Sequence, residues 1–250
     1  MGSVGAKQGG SGGAPQEEPE KKGLNHSMKS AEVSQYAKDN LGINIQEKVI
    51  GKIGRHKMIN SLQLVEDVLN ELPESVKKDL GVSVGTQSSN GKWYAKMSGG
   101  TGTMWFNTNF FNDNVYKSYQ WDVKQKWHPE NTTADAIFAH EIGHRLETMA
   151  VEKIHGGKNL GMIFDYNDQI TAKKIVKDSI EAVKKSTGTK TGSMSTWMNT
   201  ISGYAASKKN GKYQYHETLA EAVADYAQNK NNAKPLSKEI WSRLKSQLSK

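Results

Sequence analysis

The sequence predicts an α+β chain: a single domain in which a small antiparallel sheet precedes a mostly helical C-terminal half. Three observations carry this. Apolar residues recur at three- and four-residue spacing over 57–72 and again over 238–248, the period of a helix with one buried face. Short runs rich in β-branched and aromatic residues lie between, separated by Ser-Ser-Asn-Gly and Ser-Gly-Gly-Thr-Gly, which is strand-and-turn chemistry. Strands come first and the later helices follow, the order of segregated rather than alternating elements. At 250 residues and 35% hydrophobic, the chain can build one sizeable core but not two full domains.

Residues 1–23 are predicted to be a flexible Gly-rich and charged tail, native or a linker, with too little apolar surface to offset its ordering entropy. The domain then occupies 24–250. A helix is expected from Ser30 to Leu41, closed by Gly42, and Ile43 to Ile45 alternates as a strand. From Lys57 to Leu72 the residues Met58, Ile59, Leu62, Val65, Leu69 and Leu72 form a helical stripe that Pro73 ends. Val82–Val84, Lys92–Met97 and Thr103–Phe111 are expected to pair as an antiparallel meander. Gly99, Gly100 and Gly102 beside them would allow close backbone approach.

After Pro129 a helix is expected from Thr133 to about Ala150, with Thr132 as N-cap and Asp135 as its acidic partner. Asp168–Lys185 should form another helix, and Ser186–Ser202, rich in Gly, Ser and Thr, a loop. Helices at His216–Gln228 and Lys238–Leu248 complete the chain, the latter burying Ile240, Trp241, Leu244 and Leu248 on one face.

Composition narrows the chemistry. There are no cysteines, which excludes disulfides, thiolate metal sites and cysteine nucleophiles together. No apolar run reaches the ~18–20 residues of a membrane span, and no basic segment leads into an apolar one at the N-terminus. A cytoplasmic location is expected unless another route exports the chain, with no membrane partner. The net charge of +8 comes from lysines scattered through every segment. It reads as a solvated basic surface, and no specific nucleic-acid partner is expected.

The segment His140-Glu141-Ile142-Gly143-His144 is HExxH. Residues four apart on a helix lie ~40° apart around its axis and ~6 Å along it, so two imidazoles can converge on one ion. The intervening glutamate projects toward the metal's open side as a base for water. Ile137, Phe138, Ile142 and Leu146 surround the motif, and Gly143 suggests that another element packs closely there, since glycine costs about 1 kcal/mol relative to alanine inside a helix. Zinc in a hydrolytic site takes three protein ligands. Glu217 and Glu221 share one face of a helix whose other residues are mostly Ala and Leu. Glu217 could complete the ligand set while Glu221 supports a ligating imidazole. His216, about 100° away from Glu217 around the helix, is the weaker candidate.

HEIGH followed by ISGYAAS and ETLAEAVADY resembles the gluzincin zinc metallopeptidases related to anthrax lethal factor, including phage-encoded members. The similarity spans roughly residues 97–229. It implies a zincin-like catalytic domain, an endopeptidase acting on protein or peptide substrates, and one Zn2+. It further implies zinc ligands His140, His144 and Glu217, with Glu141 as general base, Glu221 as supporting carboxylate and Tyr204 as the tyrosine that stabilises the oxyanion. The 13-residue interval from Tyr204 to Glu217 exceeds the family's usual one, and residues 208–212 read as an inserted turn. Tyr213 and Tyr215 therefore compete with Tyr204 for that role. The implied fold also places the strand Thr103–Phe111 at the sheet edge, where a peptide can add as a further strand. Two other readings stay open: a phage-particle structural or interaction protein with little or no activity, and a polyanion-binding module.

Overall fold

The computed structural model describes residues 23–189 and 191–250; apart from Gly23, the expected tail lies outside them. Helix α1 (Ser30–Leu41) stops at Gly42, whose φ of 66° is left-handed. A Cβ there would lie 2.2 Å from the Lys77 carbonyl oxygen, so the cap requires glycine twice over. Strand β1 (Ile43–Ile45) follows, then helices α2 (Glu47–Ile53), α3 (Arg55–Leu69) and α4 (Glu74–Lys78), and strands β2 (Val82–Gln87), β3 (Ala95–Ser98) and β4 (Thr103–Asn107).

The sheet is not an antiparallel meander. Its order is β1-β2-β4-β3, with β1–β2 and β2–β4 parallel and only β3–β4 antiparallel. Three helices separate β1 from β2, and a crossover of that length permits parallel pairing. The edge strands are therefore β1 and β3, while the strand expected at the edge runs only from Thr103 to Asn107 and lies inside the sheet. Beyond it the chain turns, with the Phe110 and Phe111 amides donating to the Asn107 carbonyl. Two of the three glycines are closely approached, but only Gly102 by backbone. A Cβ on Gly99 would meet Thr148 Oγ1 at 2.3 Å and one on Gly102 would meet the Gly81 carbonyl at 2.4 Å, whereas Gly100 has open space around it.

Helix α5 (Val115–Lys124) leads to α6 (Ala136–Ile154). Thr132 does not cap α6; its hydroxyl donates to the Pro129 carbonyl at 2.7 Å, and Asp135 occupies the N-cap position. Next come α7 (Leu160–Asn167) and α8 (Ile170–Thr187). Within the segment expected to be a loop sits a short α9 (Met194–Met198). A two-stranded hairpin, β5 (Lys208–Lys209) and β6 (Lys212–Tyr213), precedes α10 (Tyr215–Asn229) and α11 (Pro235–Leu248). Asn210 and Gly211 both have positive φ, 51° and 77°, as a tight hairpin turn of primed type demands.

Helix α6 is the centre of the domain, buried along most of its length and packed against α3, α10, α11 and β3. Gly143 lets α10 approach: a Cβ there would stand 2.9 Å from Ala220 Cα. Arg145, buried, donates to the carbonyls of Leu80 at 2.8 Å and Gly99 at 3.2 Å, which fastens the sheet's end to α6. Phe106, Phe111 and Phe138 pack ring against ring between the sheet and α6, at centroid separations of 4.6 Å and 5.7 Å. Among the described residues, no helix is long and apolar enough to cross a membrane.

Candidate metal centre

Two helices build the site. His140, Glu141 and His144 project from the middle of α6, and Glu217 and Glu221 from the first turns of α10. Because Gly143 and Ala220 hold the two helices almost backbone to backbone, short reaches suffice for the side chains to meet.

His140, His144 and Glu217 each offer one atom to a cluster in which all such atoms lie within 4.8 Å of one another. Glu217 Oε2 is 3.3 Å from His140 Nε2 and 3.4 Å from His144 Nε2. That oxygen is buried and makes no well-directed hydrogen bond to either ring. The atoms thus converge on a common point instead of on each other. A tetrahedron of ligands ~2.0–2.1 Å from a zinc ion has edges of ~3.3–3.4 Å, and both nitrogen–oxygen separations match it. Donor chemistry agrees, since two imidazoles and a carboxylate are ordinary ligands for such an ion.

The other side of His140 is held by Glu221, whose Oε1 lies 2.9 Å from His140 Nδ1. The same oxygen is 3.2 Å from His128 Nδ1, and Oε2 accepts from the Ser202 hydroxyl at 2.7 Å. Ser202 in turn accepts the Ala205 amide at 2.9 Å, so the loop before the hairpin is tied to the cluster. Burial alone would raise the Glu221 carboxyl, but the facing His128 and His140 outweigh it and bring it down to about 2. Burial likewise opposes ionised Glu217, and the neighbouring His144 and His140 hold it far below the ordinary carboxylate range. These buried carboxylates are paired as buried charges must be.

Glu141 is buried with one carboxylate oxygen unpartnered. Burial pushes its carboxyl up, against the pull of His140 and His144 and of the Met97 backbone amide on β3. A carboxylate that is dry, raised and free on one oxygen is suited to accept a proton.

Tyr204 lies in the site. Its ring stacks on His140 with centroids 5.9 Å apart, and burial with the nearby Glu217 and Glu221 charges pushes its pKa up. It stays a proton donor. Tyr213 and Tyr215 are brought instead to the hairpin, their rings 6.1 Å apart, with Lys208 over the Tyr213 ring at 4.4 Å. His216 turns away from the cluster and pairs with the buried Glu147.

Two residues near the site carry no sequence signal. His128 stacks on Tyr119 at 4.5 Å and shares Glu221 with His140, though 93 residues separate it from Glu221. Tyr166 on α7 stacks on His216 at 4.6 Å. Burial beside Glu147 raises the pKa of its hydroxyl to about 12. Neither belongs to a spaced motif; each reaches the site through a long-range contact. The chain matches no protein-family model, no curated protein and no solved structure.

Proposed function

We propose that the protein is a zinc-dependent endopeptidase of the gluzincin type that resembles the lethal factor-like family. The observation that carries this reading is the convergence of His140 Nε2, His144 Nε2 and Glu217 Oε2 beside the free carboxylate oxygen of Glu141. His140, His144 and Glu217 would hold Zn2+, which supplies Lewis-acid polarisation of the peptide carbonyl and acidification of water. Glu141 takes a proton from the attacking water as its oxygen bonds the carbonyl carbon. It then delivers that proton to the amide nitrogen as the carbon–nitrogen bond breaks. The Tyr204 hydroxyl donates to the developing oxyanion. Glu221 keeps the His140 ring turned so that Nε2 faces the ligand point.

Elemental analysis of the purified chain, together with cleavage of a mixed peptide library, tests the reading. About one zinc per chain and chelator-sensitive cleavage are expected. Glu141→Gln should retain the metal and lose activity by ~10²–10⁴-fold, the usual size of a general-base contribution. A metal-free, inactive wild type, or cleavage by Glu141→Gln at the wild-type rate, would overturn it.

A further inference from the structure

A cavity of about 920 Å³ opens beside the ligand cluster, with His140, Glu141 and Tyr204 at its inner end. Its walls include Tyr94, Phe110, Trp121, Trp127 and Ile137, and its rim carries Lys92, Lys117 and Lys124. Trp121 is 63% exposed and Trp127 46%; large apolar side chains left this wet around a concavity mark a surface that a ligand covers.

The charges around the cavity are uneven. Asp122 is occupied by the Tyr94 hydroxyl at 2.7 Å, and Glu221 is closed in by His128, His140 and Ser202. No ion pair among the described residues engages the ammonium groups of Lys92, Lys117 or Lys124. The mouth is therefore cationic over an aromatic interior. The edge strand β3 enters the same space. Because the Tyr94 carbonyl accepts the Asn107 amide on the sheet side, strand alternation turns the Ala95 backbone outward, and Ala95 lines the cavity.

We propose that this cavity is the specificity subsite for an acidic peptide. Resting on the peptidase reading, it takes a bulky aromatic or aliphatic side chain next to the scissile bond. Lys92, Lys117 and Lys124 then meet carboxylates on the flanking residues. A single-stranded nucleic acid also offers anions and stacking faces. The peptide is favoured because Glu141 stands at the inner end, and because an open strand edge pairs with peptide backbone.

The test uses the full chain carrying Glu141→Gln, so that peptide is bound and not consumed. Tryptophan fluorescence and calorimetry report binding of synthetic peptides with a central Phe flanked by Glu, the same flanked by Lys, and a Glu-flanked peptide with central Gly. The first should bind about tenfold more tightly than either other, and less so as salt rises. Lys92→Glu/Lys117→Glu/Lys124→Glu should reverse the charge preference. Ser118→Trp, from an exposed α5 position that lines the cavity, should weaken the Phe-centred peptide about tenfold with unchanged melting. Equal binding of both charge types, indifference to Ser118→Trp, or tighter binding of oligothymidylate would overturn the assignment. Binding without any cleavage by wild type would sink the peptidase reading alone, and cleavage without charge preference would sink the subsite alone.

Discussion

Glu221 Oε1 lies 2.9 Å from Nδ1 of His140, on the face of the imidazole opposite the nitrogen that approaches Glu217. One ring is thus gripped from both sides by carboxylates a single helical turn apart. The two carboxylates have different surroundings: Glu221 is satisfied on both oxygens by His128, His140 and Ser202, whereas Glu217 Oε2 is left without a directed partner.

That difference separates the two glutamates experimentally. Glu217→Ala removes a ligand and leaves two imidazoles, too few for a stable hydrolytic zinc site; the protein should come off a column nearly metal-free. Glu221→Ala removes only the support for His140, which typically costs ~10–100-fold in affinity or activity. It should keep most of its zinc in the absence of chelator and part of its activity. Competition with a graded series of chelators measures both, and the reverse ranking would move the ligand to Glu221.

Tyr204, not the hairpin tyrosines, should carry the hydroxyl that catalysis needs. Its ring stacks on His140, while Tyr213 and Tyr215 pack on each other. Tyr204→Phe should lower kcat by ~10²–10³-fold, the scale of one lost oxyanion donor, with zinc content unchanged. Tyr213→Phe and Tyr215→Phe should stay within a factor of two or so of wild type on the same argument. Equal losses in all three would point to a structural role instead.

Gly143→Ala should loosen the site by forcing its two helices apart. The new methyl would stand 2.9 Å from Ala220 Cα and 3.3 Å from Val223 Cβ, and backbone does not step aside as a side-chain tip does. Overpacking costs ~1–3 kcal/mol, against ~1 kcal/mol gained in helix propensity, so stability should fall slightly. Zinc affinity should fall too, because the ligands come from both helices. Gly100→Ala, with open space at its Cβ, is the control. Thermal melts and zinc titrations of the pair decide it; a Gly143→Ala protein as tight for zinc as the control would refute the coupling.

Much of this was legible in the sequence because it is local. The α1 cap at Gly42, the stripe of α3, the buried face of α11 and the HExxH spacing each follow from periods and turn residues within one segment. Sheet order was not legible, since short apolar strands read the same whether they pair parallel or antiparallel. Helix α7 was hidden for a different reason: Leu160, Ile163 and Phe164 are exposed, so its apolar residues do not mark a buried face. His128 and Tyr166 enter the site only through contacts with distant residues. No spacing rule could have found them.

Glu71 offers a test of stability remote from the metal. It follows α3 and accepts from Trp241 Nε1 at 2.9 Å and the Tyr226 hydroxyl at 3.0 Å, with Lys245 at 3.3 Å and Lys230 at 3.4 Å. Burial opposes its charge, but the bonds from Trp241, Tyr226 and Lys245 outweigh it and set its folded pKa below the ordinary value. The sign follows: a carboxyl with a depressed folded pKa stabilises fully above its unfolded pKa of ~4.3. That stability is lost as pH falls through the lower folded value. Glu71→Gln keeps the side-chain shape and removes the charge. At pH 7 it should be less stable than wild type by roughly 1 kcal/mol, since the site is partly exposed and solvent screens it. Groups common to both proteins titrate alike, so the difference between their melting temperatures isolates Glu71. That difference should narrow steadily below about pH 4. A gap of constant size down to acid unfolding would show that the carboxylate's charge contributes nothing there.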